Sequence, residues 1–174
     1  MVEVDRIAGL WAFVLAGGSG TRFWPLSREA TPKQLLEIFG TESLICQAIH
    51  RIEPFTVPGG VTVLTNEKFA DEIRTHLCGQ GDETLQSVRI LSEPMPRNTA
   101  PAIALAAAAA LEKDPDAIVI VLPSDHVLEA DAGWASAITA ATDAARRGAV
   151  VTLGLVPDRP ETGYGYIVPD GEYG

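Results

Sequence analysis

The sequence predicts an α/β fold built on an open, mostly parallel sheet with helices on both faces. Short β-branched apolar runs alternate along the chain with longer amphipathic ones, the order that parallel strands joined by helical crossovers require. The run Ile118-Val119-Ile120-Val121-Leu122 is apolar at successive positions, as a central strand covered on both faces must be. With 174 residues, 47% hydrophobic and 21% charged, the chain has material for one core, so residues 1–174 are read as one domain.

Element by element, the first strand is expected at residues 11–16, an apolar run closed by Gly17 and Gly18. Further strands are expected at 61–65, 88–92, 117–122 and 150–156, each carrying Val, Ile or Leu, with a weaker one at 164–168. Helices are expected between them at 43–52, 67–78, 100–113 and 132–147, the last stopped by Gly148 as its C-terminal cap. In such sheets ligands collect at the carboxyl ends of the strands, so the residues that follow each strand are the first candidates for function.

Composition removes several classes of function. The formal net charge is -10, which repels phosphate backbones and anionic membranes and argues against a nucleic-acid partner. The apolar stretch from Ala100 to Leu111 falls well short of the ~20 residues of a membrane span and reads as a buried helix. The stretch from Ile7 to Gly18 follows Glu3 and Asp5 with only Arg6 in support, unlike the positive start of an export signal. Cys46 and Cys78 cannot form a Cys-x-x-Cys pair and are read as buried thiols of a cytoplasmic protein.

The first strand is followed by Gly17-Gly18-Ser19-Gly20-Thr21-Arg22. Glycines there let backbone N–H groups turn toward an anion with no Cβ in the way. A flexible surface loop is the plain alternative. Two known phosphate loops fail against it: the chain has no Gly-Lys pair, and Phe23 stands where a dinucleotide fingerprint needs its third glycine. From Gly17 to Lys33 the chain carries Arg22, Arg28 and Lys33 against Glu29, an island of +2 in an acidic protein, and Pro25 and Pro32 stiffen it.

Past the third strand, Asn98 and Thr99 lead into a helix and can cap it, contact a ligand, or do both. The fourth strand ends in Leu122-Pro123-Ser124-Asp125-His126, where Asp125 is either a cap or a ligand for a hard cation such as Mg²⁺. Adjacent Ser, Asp and His cannot stack as a hydrolytic triad. Farther on, Glu161-Thr162-Gly163-Tyr164-Gly165-Tyr166 alternates glycine with tyrosine, a pattern open to a sugar face or to an ordinary strand.

Together these residues resemble a family. The stretch from Phe13 through Gly17-Gly18-Ser19-Gly20-Thr21-Arg22-Phe23-Trp24-Pro25-Leu26-Ser27-Arg28, followed by Pro32-Lys33-Gln34, is similar to the signature of nucleotide-sugar pyrophosphorylases, specifically the mannose-1-phosphate guanylyltransferases. The likeness continues through Glu93-Pro94, Arg97-Asn98-Thr99-Ala100-Pro101, Leu122-Pro123-Ser124-Asp125-His126 and Glu161-Thr162-Gly163-Tyr164-Gly165-Tyr166-Ile167. It implies a Rossmann-like nucleotide-diphospho-sugar transferase fold, here shortened to the nucleotide-binding portion with the sugar-acceptor half largely missing.

The activity it implies joins GTP and mannose 1-phosphate into GDP-mannose, with Mg²⁺ and release of pyrophosphate. By that resemblance Arg22, Lys33 and Asp125 carry the chemistry, with Asp125 on the metal. Ala16, Gly17, Gly18, Ser19, Gly20, Thr21, Arg28, Gln34 and Arg97 would hold the nucleotide and its phosphates. Asn98 and Thr99 would contact the nucleoside, and Glu161, Gly163, Tyr164 and Gly165 would face the mannose. A homo-oligomer is compatible with this reading. Its rivals are a non-catalytic binding or regulatory subunit of the same fold, and the same chemistry on another nucleoside triphosphate or hexose phosphate.

Overall fold

The computed structural model describes residues 4–17, 32–38, 40–95, 98–168 and 170. Among them, β1 (Leu10–Leu15), β2 (Val61–Asn66), β3 (Arg89–Glu93) and β4 (Ile118–Pro123) form one parallel sheet in the order β3-β2-β1-β4. β1 pairs with β2 from Ala12↔Val61 to Leu15↔Leu64, and with β4 from Leu10↔Ile118 to Leu15↔Pro123. The chain therefore moves outward from β1 through β2 to β3, then crosses back to place β4 on the other side of β1.

Alternation along β1 divides its side chains between two cores. Leu10, Ala12 and Val14 join one cluster with Val61, Val63 and Leu122, while Phe13 joins the other with Leu64. Over the first face lie α1 (Leu44–Ile52), which buries Ile45, Ala48, Ile49 and Ile52, and α2 (Glu67–Gly79), which buries Phe69, Ile73 and Leu77. The short α3 (Glu83–Ser87), which the periodicity does not reveal, starts at Asp82, whose carboxylate accepts from the N–H groups of Thr84 and Leu85.

The opposite face is covered by α4 (Thr99–Leu111) through Ala102, Ala106 and Ala110, a four-residue spacing that makes one helical stripe. The expected helices on both faces are thus present. The crossover through α4 moves along the sheet in the reverse direction, so a right-handed connection puts it on the opposite face. α5 (Ala132–Arg146) begins at Asp131, which accepts from Trp134 N–H, and ends as predicted at Gly148 with φ +89°. Gly148 N–H donates to Ala145 and Ala149 N–H to Ala144, the paired bonds of a Schellman cap.

Four expectations are corrected. Residues 150–156 form no strand: Val150 and Val156 are almost fully exposed, because no neighbouring strand lies beside them among the described residues. Residues 164–168 likewise pair with no strand among the described residues. The alanine-rich helix is buried on one face only, with Ile103 and Leu111 outward, since a run without polar residues does not mark its own faces. Cys46 is buried as expected, but Cys78 is exposed on α2. No helix among the described residues is long and apolar enough to cross a membrane.

Candidate active site at the strand ends

The order β3-β2-β1-β4 reverses direction between β1 and β4, the switch point at whose carboxyl ends open parallel sheets bind their ligands. Two of the predicted residues meet at those ends. Lys33 begins a short 3-10 turn, Lys33–Leu35, in the connection that follows β1, and Asp125 lies two residues beyond β4. The Lys33 ammonium and an Asp125 carboxylate oxygen form a hydrogen-bonded ion pair, with both side chains about three-quarters buried. Burial pushes the Asp125 carboxyl up, but hydrogen bonding and charge attraction from Lys33 outweigh it and hold the group below the usual carboxylate range. The alternative reading of Asp125 as a helix cap fails, since Asp131 performs that task for α5.

At the end of β1 the backbone is tied by side chains. The Ala16 carbonyl accepts from Gln34 Nε2 at 3.0 Å and from Thr65 Oγ1 at 3.0 Å, and the Gly17 carbonyl accepts from Asn66 Nδ2 at 3.4 Å. Gln34 and Thr65 are fully buried. Gln34 therefore sits beneath the site, on the backbone that leads into the glycine-rich stretch.

Glu93, the last residue of β3, is 8% exposed, and its carboxylate has no hydrogen-bond or ion-pair partner among the described residues. Its Oε2 lies 3.7 Å from where a Cβ on Gly17 would sit, so the carboxylate is adjacent to the start of the glycine-rich stretch. The motif reading left Glu93 without a role. The signal that could have found it is an acidic residue closing an apolar strand, at the end of the sheet where ligands bind.

Asn98 precedes α4 with φ +67° and ψ -167°, a backbone conformation costing a non-glycine residue on the order of 1–3 kcal/mol. Its side chain makes no capping bond, so the cap reading of Asn98 is not realised. Thr99 is the first residue of the helix, and both residues are exposed.

Glu161, Gly163, Tyr164 and Gly165 occupy a separate exposed turn. There Glu161 accepts from Gly163 N–H at 2.9 Å, and the Tyr166 hydroxyl accepts from Glu161 N–H while donating to Glu161 C=O. These bonds are local, and none joins the turn to the Lys33–Asp125 pair. Gly18, Ser19, Gly20, Thr21, Arg22, Arg28 and Arg97 lie outside the described residues.

A parallel sheet with this strand order is the fold of nucleotide-binding transferases, and the chain belongs to the nucleotidyl transferase family, whose model it matches over residues 11–173. It is 44% identical over 154 residues to the xanthan biosynthesis protein XanB of Xanthomonas campestris and 41% identical to the alginate biosynthesis protein AlgA of Pseudomonas aeruginosa. It is also 42% identical over 158 residues to a mannose-1-phosphate guanylyltransferase of Sinorhizobium fredii. Each comparison covers 88% of this chain but 30–32% of the relative, so the chain spans about a third of the length of the curated relatives it matches. A crystal structure from Thermus thermophilus, described as a mannose-1-phosphate geranyltransferase, superposes with a TM-score of 0.76 at 36% identity. That match covers 90% of this chain and 44% of the other.

Proposed function

We propose that this chain carries the nucleotide-binding portion of an enzyme that joins GTP and mannose 1-phosphate into GDP-mannose and releases pyrophosphate. The observation that carries the reading is the meeting of Lys33 and Asp125 beyond the carboxyl ends of β1 and β4, a cation and a carboxylate brought together from distant parts of the sequence. The names of the relatives support the substrates, and the cationic stretch of Arg22, Arg28 and Lys33 supports a polyphosphate ligand.

In the proposed reaction an oxygen of the sugar phosphate bonds to the α-phosphorus of GTP as the bond to the bridging oxygen of the leaving pyrophosphate breaks. Little covalent work falls to the protein, so its contribution is alignment of two polyanions and neutralisation of the charge that develops. Lys33 leaves Asp125 to lie between the α-phosphate and the attacking phosphate, where a compact ammonium follows the moving charge. The backbone of Gly17, Gly18 and Gly20 and the Thr21 hydroxyl hold the triphosphate, and Arg22 receives the departing pyrophosphate. Arg28 and Arg97 add charge to the same ligand.

Asp125 fits Mg²⁺, a hard cation that takes one or two carboxylates together with substrate phosphates and water. Among the described residues no three His, Cys, Asp or Glu gather into a metal-binding group. When bound, the metal neutralises phosphate charge and orients the α-phosphate. Glu93 supplies an acceptor for the N1–H and N2 amino donors of guanine, Asn98 and Thr99 contact the nucleoside, and the turn at Glu161, Gly163, Tyr164 and Gly165 meets the mannose.

The test is pyrophosphate release with Mg²⁺, GTP and mannose 1-phosphate, in the chain at its full native length. Release is expected to require both substrates. Lys33→Ala is expected to lower kcat by about 10²–10³-fold, the effect of removing one oriented charge-stabilising donor, and Asp125→Asn to shift the Mg²⁺ titration to higher concentration. Unchanged kinetics in both variants would sink the reading.

A further inference from the structure

We propose that Thr65 and Gln34 are positioning residues for the phosphate-binding stretch, acting through the Ala16 carbonyl rather than on the substrate. The inference rests on the functional reading above and gives two buried side chains a task away from the ligand. Thr65 is the fifth residue of β2, on the same side of the strand as Val61 and Val63, which pack into the apolar core. A third Val there would fill the same volume. The sequence instead places a hydroxyl at a fully buried position, an unfavourable choice unless the hydroxyl has an acceptor. Its acceptor is Ala16 C=O, at 3.0 Å.

Gln34 repeats the pattern from the other side. It is fully buried, directly follows the active-site Lys33, and donates to the same carbonyl at 3.0 Å. Two donors from two separate elements thus converge on one oxygen, while Asn66 holds the next carbonyl, Gly17. These are the last two peptides before Gly18-Ser19-Gly20. A strand fixes its direction through its ladder, and where the ladder stops a Gly-rich chain has little direction of its own. Fixing the Ala16 peptide sets the direction from which Gly17 N–H and the following groups meet a phosphate. Because Gln34 adjoins Lys33, the same bond ties the position of the ammonium to the position of the loop. Misplacement of aligned groups by about 1 Å costs on the order of 10²-fold in rate.

The experiment compares Thr65→Val, Thr65→Ser and Gln34→Met in the full native-length chain. Thr65→Val preserves shape and removes the donor, and it is expected to lower kcat by about 10-fold or more with the thermal midpoint little changed, while Thr65→Ser restores the rate. Gln34→Met is expected to reproduce the loss, and it decides the matter if Thr65→Val does not fold. Amide hydrogen exchange provides a readout independent of activity: in Thr65→Val, exchange in a peptide beginning at Ala16 should quicken while residues 10–15 keep their protection. Wild-type kcat and exchange in Thr65→Val and Gln34→Met, or a Thr65→Ser variant as impaired as Thr65→Val, would overturn the proposal. A wild-type protein that releases no pyrophosphate defeats the functional reading alone, and the exchange measurement still decides the positioning role.

Discussion

Single side chains at the strand ends hold most of what is specific to this chain. Glu93 is a buried carboxylate without a partner among the described residues, and such a group is costly unless a ligand supplies donors. Guanine offers two donors on one edge, whereas the edge of adenine offers an amino group beside an acceptor. Under the proposed function, Glu93→Gln is therefore expected to narrow a preference for GTP over ATP by about 10-fold or more, measured as the ratio of kcat/KM values; an unchanged ratio removes Glu93 from base reading. A second residue-scale prediction concerns His76, whose Nε2 lies 2.8 Å from Ser43 Oγ. Burial lowers its pKa, more than Glu37 and Glu72 raise it. A histidine depressed in the folded state contributes stability that is present above the ordinary value of 6.5 and is lost as the pH falls through the lowered one. Unfolding free energy should fall on acidification below about pH 6.5, and His76→Gln should flatten that part of the profile. Asp125 stood out in the sequence as a carboxylate just beyond an apolar strand and Lys33 as part of a cationic island in an acidic chain, but that the two side chains meet was not readable from either. Gln34 and Thr65 were not legible as supports, since their roles depend on a shared acceptor that no spacing reveals.

At the scale of elements, the strands that pair were readable and those that do not pair were misread. β1, β2, β3 and β4 each begin or end within a residue of expectation, because apolar β-branched runs met real neighbours in the sheet. Residues 150–156 carry the same pattern without a neighbour, and a strand is defined by its hydrogen-bonded partner as much as by its own residues. The longer helices followed their apolar periodicity, apart from α4, where alanine on every face conceals which face is inward, while the five-residue α3 is too short to show a period. Phe13 anchors that side of the sheet: it is 2% exposed and packs with Leu64, Ala102 and Ala106. Phe13→Ala is expected to destabilise the domain by about 3–5 kcal/mol, the cost of a large buried cavity, as read from the denaturant midpoint. A loss below about 1 kcal/mol would show that α4 collapses onto the sheet and refills the space.

Viewed whole, the described residues form a four-stranded parallel sheet with its helices, followed by a stretch of exposed apolar side chains. Val150, Leu155, Val156, Ile167 and Val168 are exposed together with Tyr164 and Tyr166, far more than scattered surface apolar residues explain. The 174-residue chain is therefore expected to bind a hydrophobic dye and to self-associate with rising concentration. Replacing Val150, Leu155 and Val156 by Ser should reduce both in light scattering, and equal association of that variant would place the sticky surface elsewhere, with α4 next in line. The parallel pairing of β1 with β4 has a consequence for folding. These two strands lie side by side, and the chain between them, with β2, β3 and helices α1 to α4, is a closed loop fastened by that seam. Contacts of such long sequence separation form late, since the entropy of closing the loop must be met before they contribute. Asp125 reaches Lys33 across 92 positions only once the seam is zipped, so closeness of that pair reports completed folding.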